Sequence, residues 1–181
     1  AYDGGEVDIL GGISPDEALT INRNRSDITN SPLPRIFGVF FNQNANKALL
    51  DKNVREALDT AAPKEEILKI VLNGFGKVIN GPLPPMFSRT STTESLRTAS
   101  ERIEAASSTL AKAGWVKNKD TGILEKKNKN DTIKLSFSIS TSDNPDLEKV
   151  AQMLEVAWTS LGAEVKVSIY ESGDLNQNVI R

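Results

Sequence analysis

The sequence predicts an α/β fold: three layers, α/β/α, around a mixed sheet. Three observations carry this. An apolar run at residues 36–41 feeds two amphipathic helical segments. A strand alternating at Ile133, Leu135, Phe137 and Ile139 is followed by a long helical stripe and then by a second alternating strand at Val165, Val167 and Ile169. Strand, helix and strand at that spacing make a βαβ unit, so the two strands should be parallel with a right-handed crossover. Between these blocks, a helix ending at Gly114 leads into a hairpin pattern.

In chain order, residues 6–10 read as a short strand ending in Gly11-Gly12. Ser14-Pro15-Asp16-Glu17 is a helix start, with Ser at the N-cap, Pro at the first position and Glu at the third. A Gly-Gly turn between strand and helix fits a plain tight turn; its backbone N–H groups also suit an anion. Ser31-Pro32-Leu33-Pro34 enforces an extended path, because each proline fixes φ and turns its predecessor away from helix.

Residues 36–41, apolar except for Gly38, read as a strand buried on both faces. After a polar turn over residues 42–47, Val54, Ala57, Leu58 and Ala61 recur at helical spacing, as do Ile67, Ile70 and Val71. Pro63 suits the start of the second helix and Asn73-Gly74 its end. Arg55 reads as a structural surface cation. Residues 81–86 form a proline-stiffened loop, and residues 88–100 are rich in Ser and Thr.

Residues 101–113 carry a helical stripe of Ile103, Ala106, Leu110 and Ala113, capped by Gly114, with Trp115 expected to pack over the helix end. Residues 123–126 and 132–140 form a hairpin across residues 127–131, where lysines cluster. Without interleaved aromatics these lysines read as a solvated tip and not as a nucleic-acid patch. Residues 140–145 make a polar loop. It opens the clearest helix of the chain, striped by Leu147, Val150, Ala151, Leu154, Ala157, Trp158 and Leu161 and stopped by Gly162. In open α/β sheets ligands bind beyond the carboxyl ends of parallel strands. That rule selects the loop after Ile139, and within it Ser140, Ser142 and Asn144.

Composition narrows the chemistry. The 181 residues contain no cysteine and no histidine. Cys/His zinc sites, thiol chemistry, disulfides and a Ser-His-Asp triad therefore fall away. The net charge of −2 gives no basic footprint for nucleic acid. No apolar run approaches the ~18 residues of a membrane span. An enzyme would be left with carboxylate pairs such as Asp143 and Asp146, and no Asp or Glu set assembles recognisably from separate strand ends. No catalytic residue, cofactor or metal ligand is expected.

Several ordered motifs carry a resemblance. They are FFNQN, LLDKNVREALDTA and EEILKIVLNGFGKVINGPLPP in the first half, LAKAGWVKNKDTGILEKKNKNDTIKLSFSIS further on, and EVDILGGIS near the start. Together they resemble the extracytoplasmic solute-binding proteins of peptide and nickel ABC importers, solute-binding family 5. The family's pattern is a strand ending in Phe-Asn, a Val-Arg-x-Ala-Leu helix, a second helix closing in an apolar-Gly-aromatic-Gly turn, and a Gly-Pro-Leu-Pro-Pro segment. An Ala-Gly-Trp hairpin and a Gly-Glu-x-Asp-Ile element complete it.

The resemblance implies a periplasmic-binding-protein-like (type II) lobe. Residues 1–34 would be a strand-helix remnant of the first lobe with the hinge crossing. Residues 35–181 would be the second lobe, incomplete at its C-terminal end, so that the chain is a piece of a longer, two-lobed protein. It implies capture of an oligopeptide or other small solute in an interlobe cleft and delivery to ABC permease subunits. The protein would act as a monomer, periplasmic or at the cell surface, membrane-associated through the transporter and lipoprotein-like.

By the same resemblance Gly11 and Gly12 reach the ligand through backbone groups, and Leu33, Arg35, Gly38 and Phe40 lie on a ligand-contacting segment. Arg35 would pair with a carboxylate and Phe40 would cover an apolar group. The loop of Ser140, Ser142 and Asn144 faces the cleft. At Gly38 and Phe40 peptide-binding relatives can carry larger polar or acidic groups, so recognition of a peptide amino terminus is not implied. A sensor or regulatory domain on the same lobe is the alternative, and a carboxylate hydrolase the more distant one.

Overall fold

The computed structural model describes residues 2, 5–21, 28–29, 35–79, 81, 98–128 and 131–179. Leu33, the Pro32–Pro34 crossing, and nearly all of the 81–86 loop and the Ser/Thr-rich stretch lie outside them. The helices are α1 (Pro15–Thr20), α2 (Lys52–Ala61), α3 (Lys64–Val71), α4 (Ala99–Lys112), α5 (Pro145–Leu161) and a one-turn α6 (Ser172–Asp174). A 3-10 turn, Lys47–Leu50, precedes α2, and a π-helical turn, Leu175–Val179, follows α6. The strands are β1 (Val116–Lys117), β2 (Leu124–Asn128), β3 (Asp131–Lys134), β4 (Ser136–Ser142) and β5 (Glu164–Tyr170).

The helix ends follow from local chemistry. Ser14 and Thr98 each form a reciprocal capping box, with Glu17 and Glu101 respectively. Asn144 caps α5 with its side-chain oxygen and Pro145 opens the first turn. Pro63 sits at the N-cap of α3, and Asn73 and Gly74 turn left-handed at its end. Gly162 stops α5 at φ 111°. A Cβ there would lie 3.1 Å from Leu124 Cγ, because the Gly162 carbonyl accepts from the Leu124 N–H at 2.8 Å and draws β2 close. Arg55 serves the framework, its Nη1 donating to the Leu49 and Leu50 carbonyls and closing the 3-10 turn.

The core lies where α2, α4 and α5 meet β4, β5 and the start of β2. Val54, Ala57, Leu58 and Ala61 face Ala106 and Leu110, together with Leu154, Trp158 and Leu161. Trp158 is its centre. The indole N–H donates to the Leu58 carbonyl at 2.9 Å, and the ring meets Phe137 edge-on at 5.6 Å and Phe41 at 6.4 Å.

The βαβ unit is present: β4 and β5 pair in parallel, with Phe137 opposite Val165, Ile139 opposite Val167 and Ser142 opposite Tyr170. β1, β2 and β3 form an antiparallel ribbon. Leu135, fully buried, joins the two sheets, its N–H donating to the Leu124 carbonyl and its carbonyl accepting from the Glu164 N–H.

Three expectations are corrected. The strand expected over residues 132–140 divides at Leu135, its first half pairing in the ribbon and its second in the parallel sheet; alternation alone does not reveal a change of partner. Residues 6–10 form no strand, and Ile9 is 88% exposed. Residues 36–41 form no strand with any described residue, and Ile36, Phe37, Val39 and Phe40 are exposed. A buried strand needs a ladder partner and covering side chains. Among the described residues this run finds neither, apart from the Phe41 contact with Trp158.

Candidate functional site

The carboxyl end of the parallel pair is the site that elementary topology singles out. β4 runs three residues past Ile139, so Ser140 and Ser142 belong to the strand and the connection to α5 shrinks to Asp143 and Asn144. This corrects the loop expected over residues 140–144. The pattern changes from apolar to Ser and Thr at Ser140, but backbone pairing continues: Ser140 opposes Ser168 and Thr141 opposes Ile169.

Ser136, Ser138, Ser140 and Ser142 alternate with the core-facing residues and therefore share the opposite face of β4. Ser140 is exposed, whereas Ser142 is 7% exposed. Asn144 is exposed, but its Oδ1 already accepts from the N–H groups of Asp146 and Leu147 at 3.0 and 3.2 Å. Only its amide N–H₂ remains to meet a solute. Tyr170, Asp143 and Ser172 join this strand end, and sequence reasoning singles out none of them as a solute contact. The Asp143 N–H donates to the Tyr170 carbonyl at 2.9 Å, and Ser172 Oγ donates to Asp143 Oδ1 at 3.2 Å. The alternation of β5 places Tyr170 on the same face as Ser142, and that signal is available in the sequence.

The other expected positions among the described residues are accessible. Gly11 and Gly12 are exposed in open space ahead of α1, with Gly12 at φ 71°. Arg35 and Gly38 are exposed, and Phe40 is 95% exposed. Asp146, in the first turn of α5, sits where a carboxylate complements the helix dipole. Among the described residues no group of three or more acidic side chains is placed to hold a metal ion.

Among the described residues the largest pKa shift lies elsewhere, at Asp51. It caps α2 through the Asn53 N–H at 3.0 Å and accepts from Trp115 Nε1 at 3.1 Å and Lys126 Nζ at 2.8 Å. Burial pushes its pKa up, but the Lys126 ammonium and the Asn53 and Trp115 donors outweigh burial and bring it down to about 2. Asp51 thereby ties α2, the end of α4 and the ribbon together, a framework role remote from the strand end.

Known proteins fit this geometry. The chain matches the bacterial extracellular solute-binding proteins, family 5 (middle), over residues 1–180. It is 33% identical over 127 residues to the oligopeptide-binding protein AppA of Bacillus subtilis, covering 70% of this chain and 23% of AppA. It is 30% identical over 128 residues to the oligopeptide-binding protein OppA of Lactococcus lactis subsp. cremoris, covering 71% of this chain and 20% of OppA. The structure of AppA in complex with a nonapeptide aligns with a TM-score of 0.61 at 32% identity, over 74% of this chain and 26% of AppA. That of NikZ from Campylobacter jejuni in complex with Ni(L-His) aligns at 0.59 and 31% identity, over 76% of this chain and 27% of NikZ.

The chain thus spans about a quarter or less of the length of these relatives. Their fold is the type II periplasmic-binding-protein fold, and the mixed α/β arrangement described above is part of it. The chain belongs to family 5 of the bacterial extracellular solute-binding proteins.

Proposed function

We propose that this chain supplies one wall of a solute cleft in the extracytoplasmic binding component of an ABC importer, and that the solute is peptide-like. The carrying observation is the polar carboxyl end of the β4–β5 pair, with exposed Ser140 and the Asn144 amide available for hydrogen bonds. Peptide capture requires backbone and small polar groups beside apolar surfaces in a closable cleft. Alignment with AppA bound to a nonapeptide supports a peptide.

Residues 35–181 act in this reading as the second lobe, residues 1–34 as a first-lobe strand-helix and hinge crossing, and the binding protein docks on permease subunits as a monomer. Exposed Phe40 and Arg35 are assigned to apolar cover and carboxylate pairing, Leu33 and Gly38 to the same segment, and Gly11 and Gly12 to backbone contacts. Half a cleft binds weakly, because neither wall alone removes the solute from water.

The test is a thermal-shift screen of the chain joined to a complete first lobe, against pooled short peptides, nickel–histidine complexes and oligosaccharides. A ligand at a hundredfold its Kd should add ~2.7 kcal/mol of stability, a shift of several degrees or less. The peptide pool should give the shift and Ser140→Trp should abolish it. A shift with another pool alone, or one indifferent to Ser140→Trp, overturns the reading.

A further inference from the structure

Charge is unevenly distributed along this acidic chain. Residues 112–134 hold seven lysines (112, 117, 119, 126, 127, 129 and 134) against three acids, leaving 15 basic and 21 acidic residues elsewhere of 22 and 24 in all. Residues 112–134 thus carry a net +4 in the sequence, while the remainder carries −6. Lys126 and Lys134 are engaged with Asp51 and Glu125. Lys112, Lys117, Lys119 and Lys127 are exposed and make no ion pair among the described residues.

The placement of these charges is a separate observation. β3 leads into β4 through the single residue Leu135, so the ribbon lies beyond the amino end of the parallel pair. The candidate solute site is at the carboxyl end. A surface contacted by the ribbon would leave that site facing away from it.

We propose that the lysine ribbon is an electrostatic docking element for the anionic headgroups of a lipid bilayer, holding the lobe with its solute-facing end outward. The chemistry favours lipid over a folded acidic protein. All seven cations are lysines, point charges suited to a diffuse array of phosphates. The arginines and aromatics that anchor protein interfaces are missing from the exposed ribbon positions. Lysines close to an anionic membrane contribute about a fivefold gain in partitioning each. With a chain pI near 5.3, attraction of this kind orients the molecule instead of coating it.

The experiment is co-sedimentation of the full chain with vesicles of phosphatidylcholine, with and without a third of phosphatidylglycerol, at low and high salt. Binding should appear only on the anionic vesicles and fall steeply with salt. The triple variant Lys117→Glu/Lys119→Glu/Lys127→Glu should lose ~100-fold or more of it. Lys52→Glu/Lys69→Glu/Lys77→Glu, with the same charge change off the ribbon, should lose far less, and circular dichroism verifies that both fold. Equal losses in the two variants, equal binding to neutral vesicles, or no sedimentation at low salt overturns the proposal. So does displacement of the chain from anionic vesicles by polyglutamate at lower charge concentration than by inorganic phosphate, which would assign the ribbon to an acidic protein.

Discussion

The α2–α5–β4–β5 nucleus and the run at residues 36–41 are both apolar, and the structure treats them oppositely. In the nucleus each apolar stripe meets another. Leu58, Leu135 and Trp158 are all but fully buried, and the indole N–H finds the Leu58 carbonyl. The run carries Ile36, Phe37, Val39 and Phe40 with comparable hydrophobicity, yet all four are exposed and only Phe41 reaches the core. Hydrophobicity states a demand for burial; whether it is met depends on a partner surface with matching period. The nucleus carries its own partners within the sequence. Apart from Phe41, the run finds no such partner among the described residues.

That contrast makes graded predictions. Trp158→Ala should be the most damaging change, removing the ring that Phe41 and Phe137 pack on and leaving the Leu58 carbonyl without its donor. A loss of ~3–5 kcal/mol is expected in chemical denaturation. A loss below about 1 kcal/mol would break the claim that this ring organises the nucleus. Leu135→Ala should cost ~2–4 kcal/mol and uncouple the ribbon from the parallel pair, read as faster amide exchange in β2 and β3 than in β5.

Gly162→Ala should cost ~1–2 kcal/mol, from a left-handed φ and crowding against Leu124. Asp51→Asn should cost ~1 kcal/mol near neutral pH, after allowance for solvent screening at the partly exposed Lys126. The sign follows from linkage. The folded pKa, about 2, lies below the ordinary 3.8, so the Asp51 contribution is complete above about pH 4 and is lost as pH falls toward 2. The variant should show a flatter stability profile across that window, and an unchanged slope would contradict the assignment. Phe40→Ser should be smallest, within ~0.5 kcal/mol, because the ring is exposed. A large loss there would mean that the run is packed, and the comparison would fail.

Much of the nucleus was legible in the sequence for a physical reason: local signals and tertiary demands agree there. The α5 stripe from Leu147 to Leu161, its Asn144-Pro145 start and its Gly162 stop all specify one helix, and the alternation of Val165 and Val167 specifies the face β5 turns inward. What was not legible required knowledge of partners. The sheet change at Leu135 depends on which backbone each half meets. The continuation of β4 through Ser142 depends on β5 running equally far, and Asp51 signals locally only its cap on α2, because Trp115 and Lys126 lie 64 and 75 residues away. The candidate site is placed by topology more than by side chains. The serine-rich end and the face of Tyr170 are readable from the alternation, while the hydrogen bonds that draw Asp143 and Ser172 to this end emerge only with the fold.

The most direct test of the central claim, that the carboxyl end of β4 and the exposed run face the solute, is a hydrogen-exchange footprint. It compares a chain carrying both lobes with and without a peptide that the thermal screen selects. The account predicts new protection at residues 35–40 and 140–144, with the ribbon at residues 124–134 unchanged. Protection confined to the ribbon, or to α2 and α4 with residues 140–144 untouched, would contradict it.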